Sequence, residues 1–108
     1  MNFDVYNDDY YKRLDLDENT TKEEIKRNFF QSVRLYPPEK KPEEHKLIRE
    51  AYDILENEQS REEYDTRKKY GKEIEHLESQ IKIAEEEEDI SRLESLLKKI
   101  IIIAPKIF

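Results

Sequence analysis

The tightest constraint in this chain is the run Tyr36-Pro37-Pro38-Glu39-Lys40. A proline has no N–H to donate, and it pushes the residue before it out of the α region. Two in succession end a helix arriving from the N-terminal side near Tyr36 and stiffen the turn that follows. Pro42 suits the opening turn of a second helix, where a missing N–H costs little. About five residues separate the two helices, a length that joins helices packed side by side. The chain is therefore organised round an antiparallel helical pair, Lys22 to Leu55, hinged at these prolines.

Hydrophobic spacing fills in the pair. Thr21 followed three residues later by Glu24 is a capping box, in which hydroxyl and carboxylate satisfy two orphan amides reciprocally. From there Ile25, Phe29, Ser32, Val33 and Tyr36 fall within roughly a third of the helix circumference, a core face with one polar member. His45, Ile48, Ala51, Tyr52 and Leu55 form the complementary stripe on a helix from about Pro42 to Glu56. Ala51 is small enough to let the helices approach closely. Upstream, Asp9-Tyr10-Tyr11-Lys12-Arg13-Leu14 reads as a short first helix capped by Asp8 or Asn7. Downstream, Asn57 caps a short fourth helix bearing Arg61, Tyr64 and Asp65. Gly71, the only glycine, marks a boundary between residues 1–70 and 71–108.

Composition supports an all-α fold and limits function. With 35% apolar and 44% charged residues the core is thin, and a domain of about 60 residues buries only roughly 60% of its unfolded surface. The absence of cysteine excludes disulfides, thiolate nucleophiles and Cys-based zinc sites. A net charge of −7 weighs against nucleic-acid binding. No stretch approaches the roughly 18 apolar residues of a membrane span. Met1-Asn2-Phe3-Asp4 lacks the basic region of a secretory signal, so a cytoplasmic location is expected. His45 and His76 are far apart with no third ligand at a recognisable spacing, so no metal site is expected, and none of the sequence calls for a cofactor. The acidic run Glu85 to Asp89 is a solvated helix end. No phosphate loop or nucleophile–base pair is present, and no enzymatic activity is expected.

Several motifs then occur in an order and spacing that resemble one family. Asp9-Tyr10-Tyr11-x-x-Leu14 resembles the opening of a J-domain, the helical module of DnaJ-type co-chaperones, and Lys22-Glu23-Glu24-Ile25-Lys26 the start of its long second helix. Glu50-Ala51-Tyr52-x-x-Leu55 and Arg61-x-x-Tyr64-Asp65 match its third and fourth helices. The resemblance covers about Asp8 to Lys69. It implies that the loop after the second helix should carry His-Pro-Asp, which the family uses to stimulate ATP hydrolysis by the 70-kDa heat-shock chaperone. The aligned residues here are Pro37, Pro38 and Glu39. A ring without donor or acceptor replaces the imidazole, and the carboxylate moves out by one methylene. A hydrogen bond to a charged group is worth roughly 1.5–3 kcal/mol. At about 1.4 kcal/mol per decade, losing one or two removes one to several decades of coupling. Two readings follow: an interaction module impaired in ATPase stimulation, or a working co-chaperone that recruits its chaperone through a variant loop.

The resemblance also implies a basic chaperone-contacting face on the second helix. Lys26, Arg27 and Arg34 keep part of that charge, and Lys40 and Lys41 lie beside the loop; Gln31 stands where the family tends to have a basic residue. Phe30 projects between Lys26 and Arg34, either covering a neighbouring segment of the same chain or anchoring a partner. The candidate partner-binding set is Lys26, Arg27, Phe30, Arg34, Pro37, Pro38, Glu39 and Lys40. Its contrast with the acidic remainder favours an acidic partner.

From Lys72 the chain reads as a helical hairpin. Ile74, Leu77, Ile81 and Ala84 form one stripe, and Asp89 caps a helix bearing Ile90, Leu93, Leu96, Leu97, Ile100 and Ile101. The spacing resembles one tetratricopeptide repeat, with Leu77, Ile81, Ala84, Leu93, Leu97 and Ile100 at signature positions if Pro105 is its terminal proline; a plain antiparallel hairpin fits as well. The ending, Ile100 to Ile103 with Ile107 and Phe108, is more apolar than one hairpin easily buries. Further repeats in a longer protein are the expected cover; packing on the J-like domain or in a dimer are the alternatives.

Overall fold

The computed structural model describes residues 2–105. The fold is all-helical, with α1 at Tyr10–Arg13, α2 at Lys22–Leu35, α3 at Pro42–Glu56, α4 at Glu58–Glu86 and α5 at Ile90–Ile103. The chain divides between Arg61 and Glu62 into two compact units.

In the first unit α1 is capped by Asp9, whose Oδ1 accepts from the Tyr11 N–H at 3.0 Å. Asn7 and Asp8 do not cap it. The Asn7 side chain is occupied in an Asx turn, accepting from the Asp9 N–H at 2.8 Å. The helix closes through Asp15 at φ 55°. Leu16 N–H reaches the Tyr11 carbonyl and Asp15 N–H the Lys12 carbonyl, the paired bonds of a Schellman ending.

Thr21 caps α2 as its sequence implies, its Oγ1 accepting from the Glu24 N–H at 3.1 Å. The Glu24 carboxylate takes the neighbouring hydroxyl, that of Thr20, at 2.9 Å. Ile25, Phe29 and Ser32 are buried, while Val33 and Tyr36 are half-buried. Asn28 joins the buried face at 3% exposure, an addition that apolar spacing does not signal. Its Nδ2 donates to the Leu14 carbonyl at 2.8 Å and to the Asp15 carbonyl at 3.4 Å, so α2 clasps the end of α1.

The α2–α3 register is visible in two contacts. The Phe29 and Tyr52 rings stack with centroids 3.9 Å apart and planes 11° from parallel. His45 Nδ1 lies 3.1 Å from the Tyr36 carbonyl. Tyr36 follows Phe29 by about two turns and His45 precedes Tyr52 by as many, so the helices run antiparallel. Between these contacts Ser32 and Ala51 are both fully buried, two small residues where the backbones come close. Ser32 satisfies its hydroxyl on its own helix, donating to the Phe29 carbonyl at 2.7 Å.

Asn57 caps α4, its Oδ1 accepting from the Ser60 N–H at 3.1 Å. The range Glu58–Glu86 of α4 is two helical segments meeting at a kink at Tyr70 (φ −116°, ψ 17°), and the first of them is the short fourth helix the sequence leads one to expect. Gly71 directly follows this kink. It has no positive φ, and a Cβ there meets nothing within 4 Å.

The second unit packs Ile74, Leu77 and Ala84 of α4 against Leu96 and Ile100 of α5 and Ala104, with Tyr70, Ile81, Leu93 and Ile103 beside them. Its turn is a second Schellman ending, with Glu88 at φ 56°. There Asp89 N–H reaches the Ala84 carbonyl and Glu88 N–H that of Glu85. Asp89 then caps α5 through the Arg92 N–H at 3.1 Å. Arg92 spans the hairpin, donating to Gln80 and lying 3.8 Å from Glu87. Three residues expected on the α5 stripe are instead exposed: Ile90, Leu97 and Ile101. Within this unit α5 has one helical neighbour, α4, and these residues lie roughly 60–100° round the helix from Ile100. Ile107 and Phe108 lie outside the described residues.

No helix among the described residues is long and apolar enough to cross a membrane. No cluster of His, Asp or Glu among them is placed to hold a metal ion.

Candidate partner-binding face

The outer side of α2 carries Lys26, Arg27, Phe30 and Arg34, all exposed, within an arc of about 100°. Among the described residues none of these three cations, nor Lys40, takes part in an ion pair. The face is therefore an uncompensated cationic ridge on a chain of net charge −7. Phe30 is 53% exposed in its middle. Its described ring contact is with Phe29, at 5.7 Å and 50°. Phe29 stacks in turn on Tyr52, and the Arg49 guanidinium lies 5.6 Å from the Phe29 ring centre. Phe30 thus rests on a braced aromatic row and presents its other side outward.

The ridge runs into the proline turn. The Tyr36 N–H ends α2 on the Ser32 carbonyl at 2.9 Å. The Pro37 carbonyl accepts from both Lys40 N–H, at 3.1 Å, and Lys41 N–H, at 2.8 Å. That doubled bond folds Pro38, Glu39 and Lys40 into a closed turn, with Pro38, Glu39 and Lys40 exposed and Pro37 half-buried. Pro42 then opens α3 without needing a donor. A carbonyl can only accept, so the His45 ring must donate from Nδ1 to the Tyr36 carbonyl. This bond fastens the far side of the turn to α3. All eight candidate residues are accounted for: four form the ridge and four form the turn that continues it.

What holds this face in place lies elsewhere, and sequence reading missed most of it. Arg13 is 7% exposed. Its Nε donates to the Asn7 carbonyl at 2.7 Å, and its terminal nitrogen reaches the Leu47 carbonyl at 3.2 Å and the Glu50 carboxylate at 2.9 Å. It also stacks over Tyr10 at 4.8 Å, so one side chain ties the N-terminal segment and α1 to α3. Arg61 does the same from the start of α4. It donates to the Tyr11 hydroxyl at 3.0 Å and to the Glu18 and Thr20 carbonyls at 3.2 and 2.8 Å, locking the loop that feeds α2. Arg61 belongs to the Arg61-x-x-Tyr64-Asp65 motif, which signals its importance without its role. Nothing in the spacing singles out Arg13.

A short capped helix, a long antiparallel pair closed by a proline turn, and an Arg-tethered start to the next helix define a J-domain. The family model described as the DnaJ domain matches residues 9–65, and the chain belongs to that family. Among curated proteins it is similar to a "Chaperone protein DnaJ" of a Nitratiruptor species, 40% identical over 70 residues, which are 59% of this chain and 18% of that protein. It is also similar to "Chaperone protein DnaJ 1" of Aquifex aeolicus, 42% identical over 62 residues, 53% of this chain and 17% of that one. A third relative, "Chaperone protein DnaJ 2" of a Synechocystis species, is 42% identical over 64 residues, 54% and 21% of the respective chains. The chain therefore spans about a fifth of the length of the curated relatives it matches. No solved structure matches it.

Proposed function

We propose that this chain is a DnaJ-related interaction module that engages a 70-kDa heat-shock chaperone through the α2 ridge and the proline turn, with weakened stimulation of that chaperone's ATPase. The observation that carries the reading is the pairing of an unpaired cationic ridge with an intact turn built from Pro37, Pro38 and Glu39. Lys26, Arg27, Arg34 and Lys40 supply long-range attraction to an acidic surface. Phe30 supplies an apolar anchor amid them, the aromatic-and-arginine chemistry of binding hot spots. Binding is therefore retained. The step that suffers is the one needing a hydrogen-bonding ring at position 37, because the proline ring offers neither donor nor acceptor there. Residues 71–108 enter this reading as an appended helical surface of the tetratricopeptide kind. The two parts form separate functional segments.

The test is steady-state ATP hydrolysis by the host's 70-kDa heat-shock chaperone with the wild-type chain and with Pro37→His/Glu39→Asp. Stimulation by the double variant alone supports the proposal. Stimulation of similar size by wild type overturns the impairment and leaves a working co-chaperone. Silence from both folded proteins removes the chaperone from the reading.

A further inference from the structure

We propose that this chain pairs with a second copy of itself through the outer edge of α5, the two α5 helices running antiparallel about a two-fold axis. Ile90, Leu97 and Ile101 are 70%, 40% and 49% exposed. At about 100° per residue they share an arc of about 40°, on the flank of α5 away from the Arg92–Gln80 bridge. They make a straight apolar edge in a chain of which 44% is charged. Their spacing, seven residues and then four, is the repeat by which one helix lies along another.

The charges beside this edge select the occupant. Glu94 and Lys98 continue round the helix on the same flank, about 20° and 60° beyond Ile101. Neither takes part in an ion pair among the described residues. The end of the edge near Ile90 adjoins the acidic turn Glu85 to Asp89, and Lys98 lies beside the end near Ile101. The edge is therefore polar along its length, acidic at its start and basic at its finish. A parallel copy would set acid against acid. An antiparallel copy sets Ile90 against Ile101 of the second copy, brings the two Leu97 side chains near the axis, and places Glu94 beside Lys98 of the second copy, twice by symmetry. One surface thus complements itself in apolar content and in charge, as an isologous two-fold contact requires. Two helix edges of this length bury less than the roughly 1,200 Å² of a standard interface, so the pair exchanges with monomer.

Sedimentation of the full chain over a concentration series from about micromolar to millimolar reads the mass directly. The expected result is a monomer–dimer equilibrium that Leu97→Lys weakens at least about tenfold, with the helical circular dichroism unchanged. Ile102→Lys is the control. Ile102 is 80% exposed about 120° round α5 from the middle of the edge, and its substitution leaves the equilibrium in place. Lys98→Glu and Glu94→Lys each weaken pairing about tenfold, and combining them in one chain restores it, because the crossed ion pairs re-form with reversed sign. A monomer at every concentration overturns the proposal, and so does open-ended growth beyond a dimer. A dimer that Ile102→Lys dissolves and Leu97→Lys does not, or a double variant as weak as the singles, overturns the assignment of this edge.

Discussion

The two units solve the same problem, a small core in a highly charged chain, by different means. The first is held by polar side chains that reach across sequence to backbone carbonyls: Arg13 to Asn7 and Leu47, Asn28 to Leu14 and Asp15, Arg61 to Glu18 and Thr20, and His45 to Tyr36. The second is held by an apolar stripe, with Arg92 as its described cross-hairpin polar tie. Buried carbonyls left unpaired are costly, so directional ties admit one arrangement of the elements they join. Apolar stripes tolerate sliding and repacking. The unit that carries the α2 ridge and the proline turn is the one built with directional ties.

Arg13→Ala sharpens this contrast most. It strips partners from two carbonyls and from Glu50 and is expected to cost about 3 kcal/mol, enough to unfold much of a small unit. Hydrogen exchange resolved by residue should show protection lost across α1 to α3 and kept in residues 74–104. Uniform loss across both units would break the comparison. Asn28→Ala comes next at about 2 kcal/mol by urea denaturation, since it frees the same α1 end that Asp15 turns. The hairpin offers the opposite sign. Glu88 holds a left-handed conformation that glycine adopts without strain, so Glu88→Gly should stabilise the second unit by about 1 kcal/mol. Asp15→Gly should gain less, because the Asp15 carboxylate accepts the Asn2 N–H at 3.2 Å and that bond is given up.

The smallest expected effect is alkaline. Burial first, and the Glu50 carboxylate next, hold the Tyr10 phenol above its ordinary value of 10.0, with Arg13 opposing them. A phenol whose folded-state value lies above its unfolded one loses its proton sooner in the unfolded chain. Its contribution to stability is present below pH 10 and is lost as pH rises through the folded value. Wild type should therefore lose stability above about pH 10 more steeply than Tyr10→Phe, measured by thermal midpoint across that range.

How much of this was legible in the sequence follows from the range of each interaction. Thr21, Asn57 and Asp89 were readable as caps because a cap is local: the side chain serves an amide three residues on. The core of α2 and α3 was readable because burial follows helical period. The Asp9 cap was missed because three capping-type residues stand in a row, and only the Asx turn of Asn7 decides between them. Asn28 and Arg13 were missed because Asn28 serves carbonyls 13 and 14 residues away and Arg13 reaches Leu47 and Glu50, 34 and 37 residues away, and polar letters carry no mark of distance. The ridge on α2 was legible because the family resemblance pointed to that face and helical period set Phe30 between Lys26 and Arg34 on it. That Phe30 leans on a braced row of rings was not, since the stack that braces it crosses between helices.

The His45 bond to the Tyr36 carbonyl decides which tautomer the neutral ring adopts. Nδ1 must carry the proton, because a carbonyl has none to give in return. The turn is thereby closed twice, once by the Pro37 carbonyl within it and once by a ring on the following helix, and neither closure asks a proline for the amide hydrogen it lacks.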